Sequence, residues 1–124
     1  MKGLKALVAT LVAVGLLAGA VPASADAAAY KHYVGCGLSG KAKQSHTCPK
    51  GSKKGAFFKA LKGDVFYSIC VKFPTGKSLC AEKQEATQGT LYVNKITSTI
   101  VGKHRVTWFV EGKRVGSFGF YVSG

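Results

Sequence analysis

The chain of 124 residues carries 18 Lys and Arg against 5 Asp and Glu, a net charge of +13, with four Cys and a single Trp. Once an export leader is set aside, the length allows one domain with a small core, a size class that commonly draws stability from disulfides. Five acids argue against the carboxylate pair of a glycosidase, and the cationic excess creates a surface field that attracts polyanions without choosing among them.

Residues 1–25 read as a cleaved signal peptide. Lys2 and Lys5 form a positive n-region, Ala6 to Val21 an apolar run of 16 residues, and Ala23-Ser24-Ala25 a small-residue cleavage site. The run falls short of the roughly 20 residues that cross a bilayer as a helix. Cleavage after Ala25 leaves 99 residues from Asp26, with 16 basic side chains against 5 acidic ones and a net charge of +11. The expected location is outside the cytoplasm, secreted or associated with the cell envelope.

Residues 26–55 read as an irregular basic segment, because Gly35, Gly37, Gly40, Pro49, Gly51 and Gly55 recur too often for a strand or helix to run far. The main basic block starts here: Lys41, Lys43, Lys50, Lys53, Lys54, Lys59 and Lys62 occur without an acid between Asp26 and Asp64. Tyr30, Tyr33, Phe57 and Phe58 lie among these lysines. Basic residues interleaved with aromatics are the pattern of a polyanion-binding surface, and a solvated lysine face is the plainer reading.

Residues 56–124 carry the strand signals and form one compact domain with the preceding segment. Ala56 to Ala60 is the first expected strand, and Asp64 to Phe73 the second, with Val65, Tyr67, Ile69, Val71 and Phe73 on one face. Ser78 to about Lys83 and Thr90 to Ile100 follow, then a closing hairpin from Gly102 to Val122. Gly63, Gly76, Gly89, Gly102 and Gly112 punctuate the sequence every ten to thirteen residues, the spacing of an all-β sandwich or small barrel.

Cys36, Cys48, Cys70 and Cys80 make an even count in an exported chain and read as two disulfides, with three pairings open in principle. Pro74-Thr75-Gly76 suits a three-residue hairpin loop, proline at the first turn position and Gly76 at the left-handed one. That register sets Val71 against Leu79 and Ile69 against Ala81 on an apolar face, and Cys70 directly against Cys80 on the other. Cys36 is left to Cys48, pinning the N-terminal segment.

In the closing hairpin, Val106, Trp108 and Val110 alternate with Arg105, Thr107 and Phe109; Glu111-Gly112 makes the turn, and Phe118, Phe120 and Val122 resume the spacing. A plain two-residue loop would place Phe118 and Phe120 opposite in parity to Trp108, so a bulge is expected at Gly116. Trp108, packed with Phe118 or Phe120, is the expected core anchor.

The run Gly102-x-His104-x-Val106-x-Trp108, the turn Val110-Glu111-Gly112-Lys113-Arg114-Val115 and the closing strand with Phe118, Phe120 and Val122 resemble the last hairpin of immunoglobulin-like sandwich modules in secreted bacterial proteins. The resemblance implies an immunoglobulin-like antiparallel β-sandwich of about six or seven strands. It departs from the antibody type, since Cys70 and Cys80 are too close in sequence to bridge two sheets and His104 stands where a corner tyrosine often sits.

Catalytic chemistry finds little support in these residues. His32, Cys36, His46 and Cys48 have ligand types that zinc takes, yet the spacing is poor and an oxidising compartment favours the disulfide. No Ser sits in a nucleophile elbow, and Gly76-Lys77-Ser78 lacks the opening glycine of a phosphate loop because Val71 occupies its place. The expectation is a non-enzymatic module without metal or cofactor, whose partner is an anionic cell-wall polymer or another polyanion. Lys103, Arg105, Lys113 and Arg114 on the last hairpin add to the basic set. The reading from another class is a secreted binder or inhibitor of a partner protein, using an exposed loop or edge strand.

Overall fold

A computed structural model describes residues 29–124, so the expected signal peptide and its expected cleavage site lie outside the described residues. Nine strands follow in order: β1 (Tyr30–Gly35), β2 (Thr47–Pro49), β3 (Lys54–Ala60), β4 (Val65–Lys72), β5 (Ser78–Cys80), β6 (Gln84–Ala86), β7 (Leu91–Ile96), β8 (Gly102–Val110) and β9 (Lys113–Ser123). They form an all-β sandwich. One sheet has the order β1-β3-β7; the other has β2-β9-β8-β4-β5, with β6 also paired to β4. Every pairing is antiparallel except that of β2 with β9.

The alternation in β4 and β8 builds the core. Tyr67, Ile69 and Val71 of β4 and Val106, Trp108 and Val110 of β8 are buried on one side of the larger sheet, against Val34, Ala56, Phe58 and Ala60 of the smaller one. Trp108 and Phe58 are fully buried, Phe120 is nearly so, and Phe118 packs at the margin. Full burial of an aromatic or large aliphatic side chain contributes about 1.5–3 kcal/mol, so this cluster drives the association of the sheets.

Both hairpin registers follow from the turn residues. Phe73 N–H donates to the Lys77 carbonyl at 2.8 Å across Pro74-Thr75-Gly76, and Gly76 takes φ 92°. Cys70 then pairs with Cys80, and Val71 with Leu79. Disulfides join Cys70 to Cys80 and Cys36 to Cys48, with Cα separations of 4.0 and 5.5 Å. Leu79 keeps the expected register yet is 68% exposed, because β5 is a short edge strand that the smaller sheet does not cover. At the other turn, Glu111 and Gly112 have φ of 51° and 82°, the left-handed pair of a type I′ turn.

The expected bulge is present. Phe109 pairs with Arg114 and Trp108 with Gly116, so Val115 is the extra residue and parity is restored for Phe118 and Phe120. The glycine has its own cause: a Cβ at Gly116 would overlap the His32 ring, which stacks on Trp108 at 4.8 Å.

The reading of residues 26–55 as irregular is corrected. Tyr30–Gly35 pairs along its whole length with β3, and Thr47–Pro49 adds a parallel edge to β9. The glycines mark close packing here: a Cβ at Gly55 would meet the Gly37 carbonyl oxygen at 2.9 Å, and one at Gly35 the Lys43 carbonyl oxygen at 2.9 Å. The loop within the Cys36–Cys48 ring thus folds back on the outer face of the smaller sheet, where Tyr33 and Phe57 stack at 4.8 Å. This second apolar layer explains why Phe57 and Phe58 are both buried although they point to opposite faces. The strand expected from Ser78 to Lys83 ends at Cys80, that from Thr90 to Ile100 ends at Ile96, and β1, β2 and β6 bring the strands of the described residues to nine, against the six or seven anticipated.

Candidate anion-binding face

The lysine block does not converge. Lys41 and Lys43 lie on the Cys36–Cys48 loop, Lys50 and Lys53 beyond β2, and Lys62 past the other end of β3, a seven-residue strand roughly 20 Å long. Lys59 is half-buried opposite Lys31 on the outer face of the smaller sheet. Lys54 is corrected outright: it is buried, and its Nζ donates to the Ser52 carbonyl at 2.7 Å and the Lys50 carbonyl at 3.5 Å. Its ammonium therefore ties down the turn before β3, where carbonyl oxygens replace the water that burial removes.

The outer face of the larger sheet, in contrast, gathers cations. With His104, Val106 and Trp108 turned inward, Lys103, Arg105 and Thr107 must turn outward. Register then sets Lys72 beside Arg105 and Arg105 beside Gly119, with Lys103 beside Tyr121. Neighbouring strands lie about 4.8 Å apart, so these charges share one small area. Lys72, Lys103, Arg105 and Arg114 are all exposed.

Arg105 is held in place. Its Nη1 donates to Ser117 Oγ at 3.0 Å, and a Cβ at Gly119 would come within 3.4 Å of its Nη2, so the guanidinium lies across the bare glycine. Arg114 Nη2 donates to the same hydroxyl at 3.3 Å. The two guanidinium groups are thus bridged by a neutral oxygen, leaving their charge uncompensated by that partner. Beside them His46 stacks on Phe118 at 4.3 Å, and its Nδ1–H donates to the Gly119 carbonyl at 2.9 Å.

Two shallow depressions flank Lys103 and Arg105. One, of about 350 Å³, runs between His46, Gly119 and Tyr121; the other, of about 540 Å³, between Lys72, Pro74 and Gly76. Both include Lys103 and Arg105, and no carboxylate lines either. Lys103, Arg105 and Arg114 stand out in the sequence as basic residues of the last hairpin, whereas Lys72 joins them only through the β4–β8 pairing.

The other polar groups of the core have local roles. His104 is buried; its Nδ1–H donates to the Gly102 carbonyl at 3.0 Å, and its Nε2 pairs with Ser98 Oγ at 2.8 Å, fastening the segment after β7 to β8. Tyr67 donates to Asn94 Oδ1 at 2.8 Å, and burial, with Tyr92 nearby, pushes its phenol up to about 12. The zinc alternative loses its thiolates to the Cys36–Cys48 bond, and its two histidines part: His32 packs on Trp108 while His46 stays exposed at the β9 edge, against Phe118.

No protein-family model matches the chain, and no curated protein matches it. Among solved structures, the chain is similar to an immunoglobulin-like protein of Pseudomonas aeruginosa, at 18% identity and a TM-score of 0.45, covering 75% of this chain and 90% of that one. The chain is also similar to an alkylpurine DNA glycosylase of Pseudomonas fluorescens, solved with DNA holding an abasic-site analogue, at 13% identity and a TM-score of 0.44, covering 77% of this chain and 31% of that one. The two disulfides are the mark of an oxidising, extracytoplasmic environment, and no helix of the described residues is long and apolar enough to cross a membrane.

Proposed function

We propose that the protein is an exported, non-enzymatic module that binds anionic polymers, such as those of a cell wall, through the outer face of its larger sheet. The observation that carries this reading is the row Lys72–Arg105, with Lys103 and Arg114 beside it, on a face whose guanidinium groups are steadied by Ser117. Strand spacing presents these charges at intervals that suit a repeating polyanion, and the depressions beside them are shallow and open rather than walls around a single small ligand.

Binding by charge neutralisation releases counterions, so affinity falls as salt rises. The test is titration of the protein with heparin and with purified wall polymer across a salt series. Replacing Lys72, Lys103 and Arg105 together by Gln is expected to weaken binding at least tenfold and to lower the salt slope by about one for each contact removed. Replacing Lys50 and Lys53 by Gln is expected to change it little. Equal retention of the two variants would exclude this face as the binding site.

A further inference from the structure

A second surface lies at the open side of the sandwich. β7 is hydrogen-bonded to β3 on one edge and, among the described residues, to no strand on the other. Beside that edge runs a cleft of about 280 Å³, lined by Ile69 and Val71 of β4, Leu79 of β5 and Ile96 of β7. It continues into a depression of about 510 Å³ that shares Phe73, Leu79 and Thr97 with it. Core side chains thus reach the surface through a slot next to unpaired backbone.

We infer that this edge is an acceptor for an extended segment of a partner protein, added as a strand beside β7, with apolar residues at alternate positions and acidic residues between them. Strand addition draws its affinity from main-chain hydrogen bonds and its selectivity from pockets for every second side chain. Inward side chains of the added strand would meet Ile69, Val71 and Leu79, which accounts for the apolar positions. Outward ones would run beside Val93 and Lys95, both exposed on the far face of β7. Lys77 and Lys95 are the charged residues lining the two depressions, which accounts for the acids. A second copy of this chain fits less well, since it would bring Lys95 and a net charge of +11, once the expected leader is lost, against their like.

The test pans a display library of random twelve-residue peptides on the oxidised protein and titrates the selected peptides against wild type, Leu79→Glu and Lys95→Glu. Leu79 is 68% exposed, so its substitution leaves the core intact. Selected peptides are expected to alternate apolar and acidic residues and to slow amide exchange across Leu91–Ile96. They are expected to lose at least tenfold affinity to Leu79→Glu and to bind Lys95→Glu more weakly as well. Failure to obtain a saturable binder would overturn the inference, as would peptides without alternation or binding indifferent to Leu79→Glu. Sedimentation showing a dimer of the protein that Leu79→Glu dissolves would assign the edge to a second copy instead and overturn it equally.

Discussion

His32 is a polar residue placed where an apolar one would ordinarily stand. It stacks on Trp108 and covers Gly116, and its Nδ1 is buried with no hydrogen-bond partner, as is Trp108 Nε1. Burial lowers its pKa below the ordinary 6.5, because the imidazolium would lose water that its own backbone only partly replaces. A histidine depressed in the folded state binds its proton more readily when unfolded, so its contribution to stability is present above pH 6.5 and is lost as pH falls towards and through the folded value. The melting temperature of the wild type should therefore drop between pH 7.5 and pH 5, and His32→Phe, which keeps a ring against Trp108, should flatten that drop; equal slopes would assign the acid sensitivity elsewhere. The same contact makes Gly116→Ala costly, by about 1–3 kcal/mol, because the His32 ring must be displaced. Trp108→Ala, at the centre of the core, should cost about 3–5 kcal/mol and is checked by denaturant unfolding, with a blue-shifted native tryptophan emission confirming the burial in the wild type.

Each disulfide closes a loop of about a dozen residues and should contribute about 2–3 kcal/mol, yet the two hold different things. Cys70–Cys80 staples a hairpin whose turn already fixes the register, while Cys36–Cys48 anchors the loop that seals Tyr33 and Phe57 on the outer face of the smaller sheet. Replacing Cys36 and Cys48 by Ser should therefore speed amide exchange in β1 and at the start of β3, whereas replacing Cys70 and Cys80 should leave those amides protected; the opposite pattern in exchange mapping would refute the assignment. How far the sequence reveals these elements depends on how local their determinants are. The β4–β5 register and the bulge before Phe118 were legible because turn chemistry and period-two parity act within a few residues of the chain. β1 was hidden by the glycines after it, although Tyr30, His32 and Val34 alternate with Lys31 and Tyr33, and β2 and β6, at three residues each, are too short to show a period. Lys54 looked like one more surface lysine because its carbonyl partners, Lys50 and Ser52, become a binding site only when the turn folds. The cationic face was half legible: the hairpin gave Lys103 and Arg105, and only the pairing of β4 with β8 adds Lys72.

Across the whole molecule, charge is distributed against compactness. A net charge of +13, or +11 after loss of the expected leader, repels itself in the folded state, and the bonds of Arg105 and Arg114 to Ser117 do not neutralise it. Two opposite responses to salt follow. Without a ligand, raising ionic strength from low to physiological values should screen the repulsion and raise the melting temperature. With a polyanion bound, the polymer itself supplies the counter-charge, and because it binds the folded face preferentially it should stabilise by mass action, by about 2.7 kcal/mol at a hundred times its Kd. For a domain of this size that corresponds to a rise of very roughly 10–20 °C, using about 4–8 °C per kcal/mol. Salt then works against the complex, since it weakens binding while stabilising the free protein. Melting curves recorded with and without heparin should therefore lie far apart at low salt and converge at high salt, the curve without heparin moving upward to meet the other. The Lys72, Lys103 and Arg105 triple Gln variant should start with a higher melting temperature than wild type at low salt and show little shift with heparin. A wild-type melting temperature that falls on adding salt would remove self-repulsion from the account, and an undiminished heparin shift in the triple variant would remove the outer face of the larger sheet.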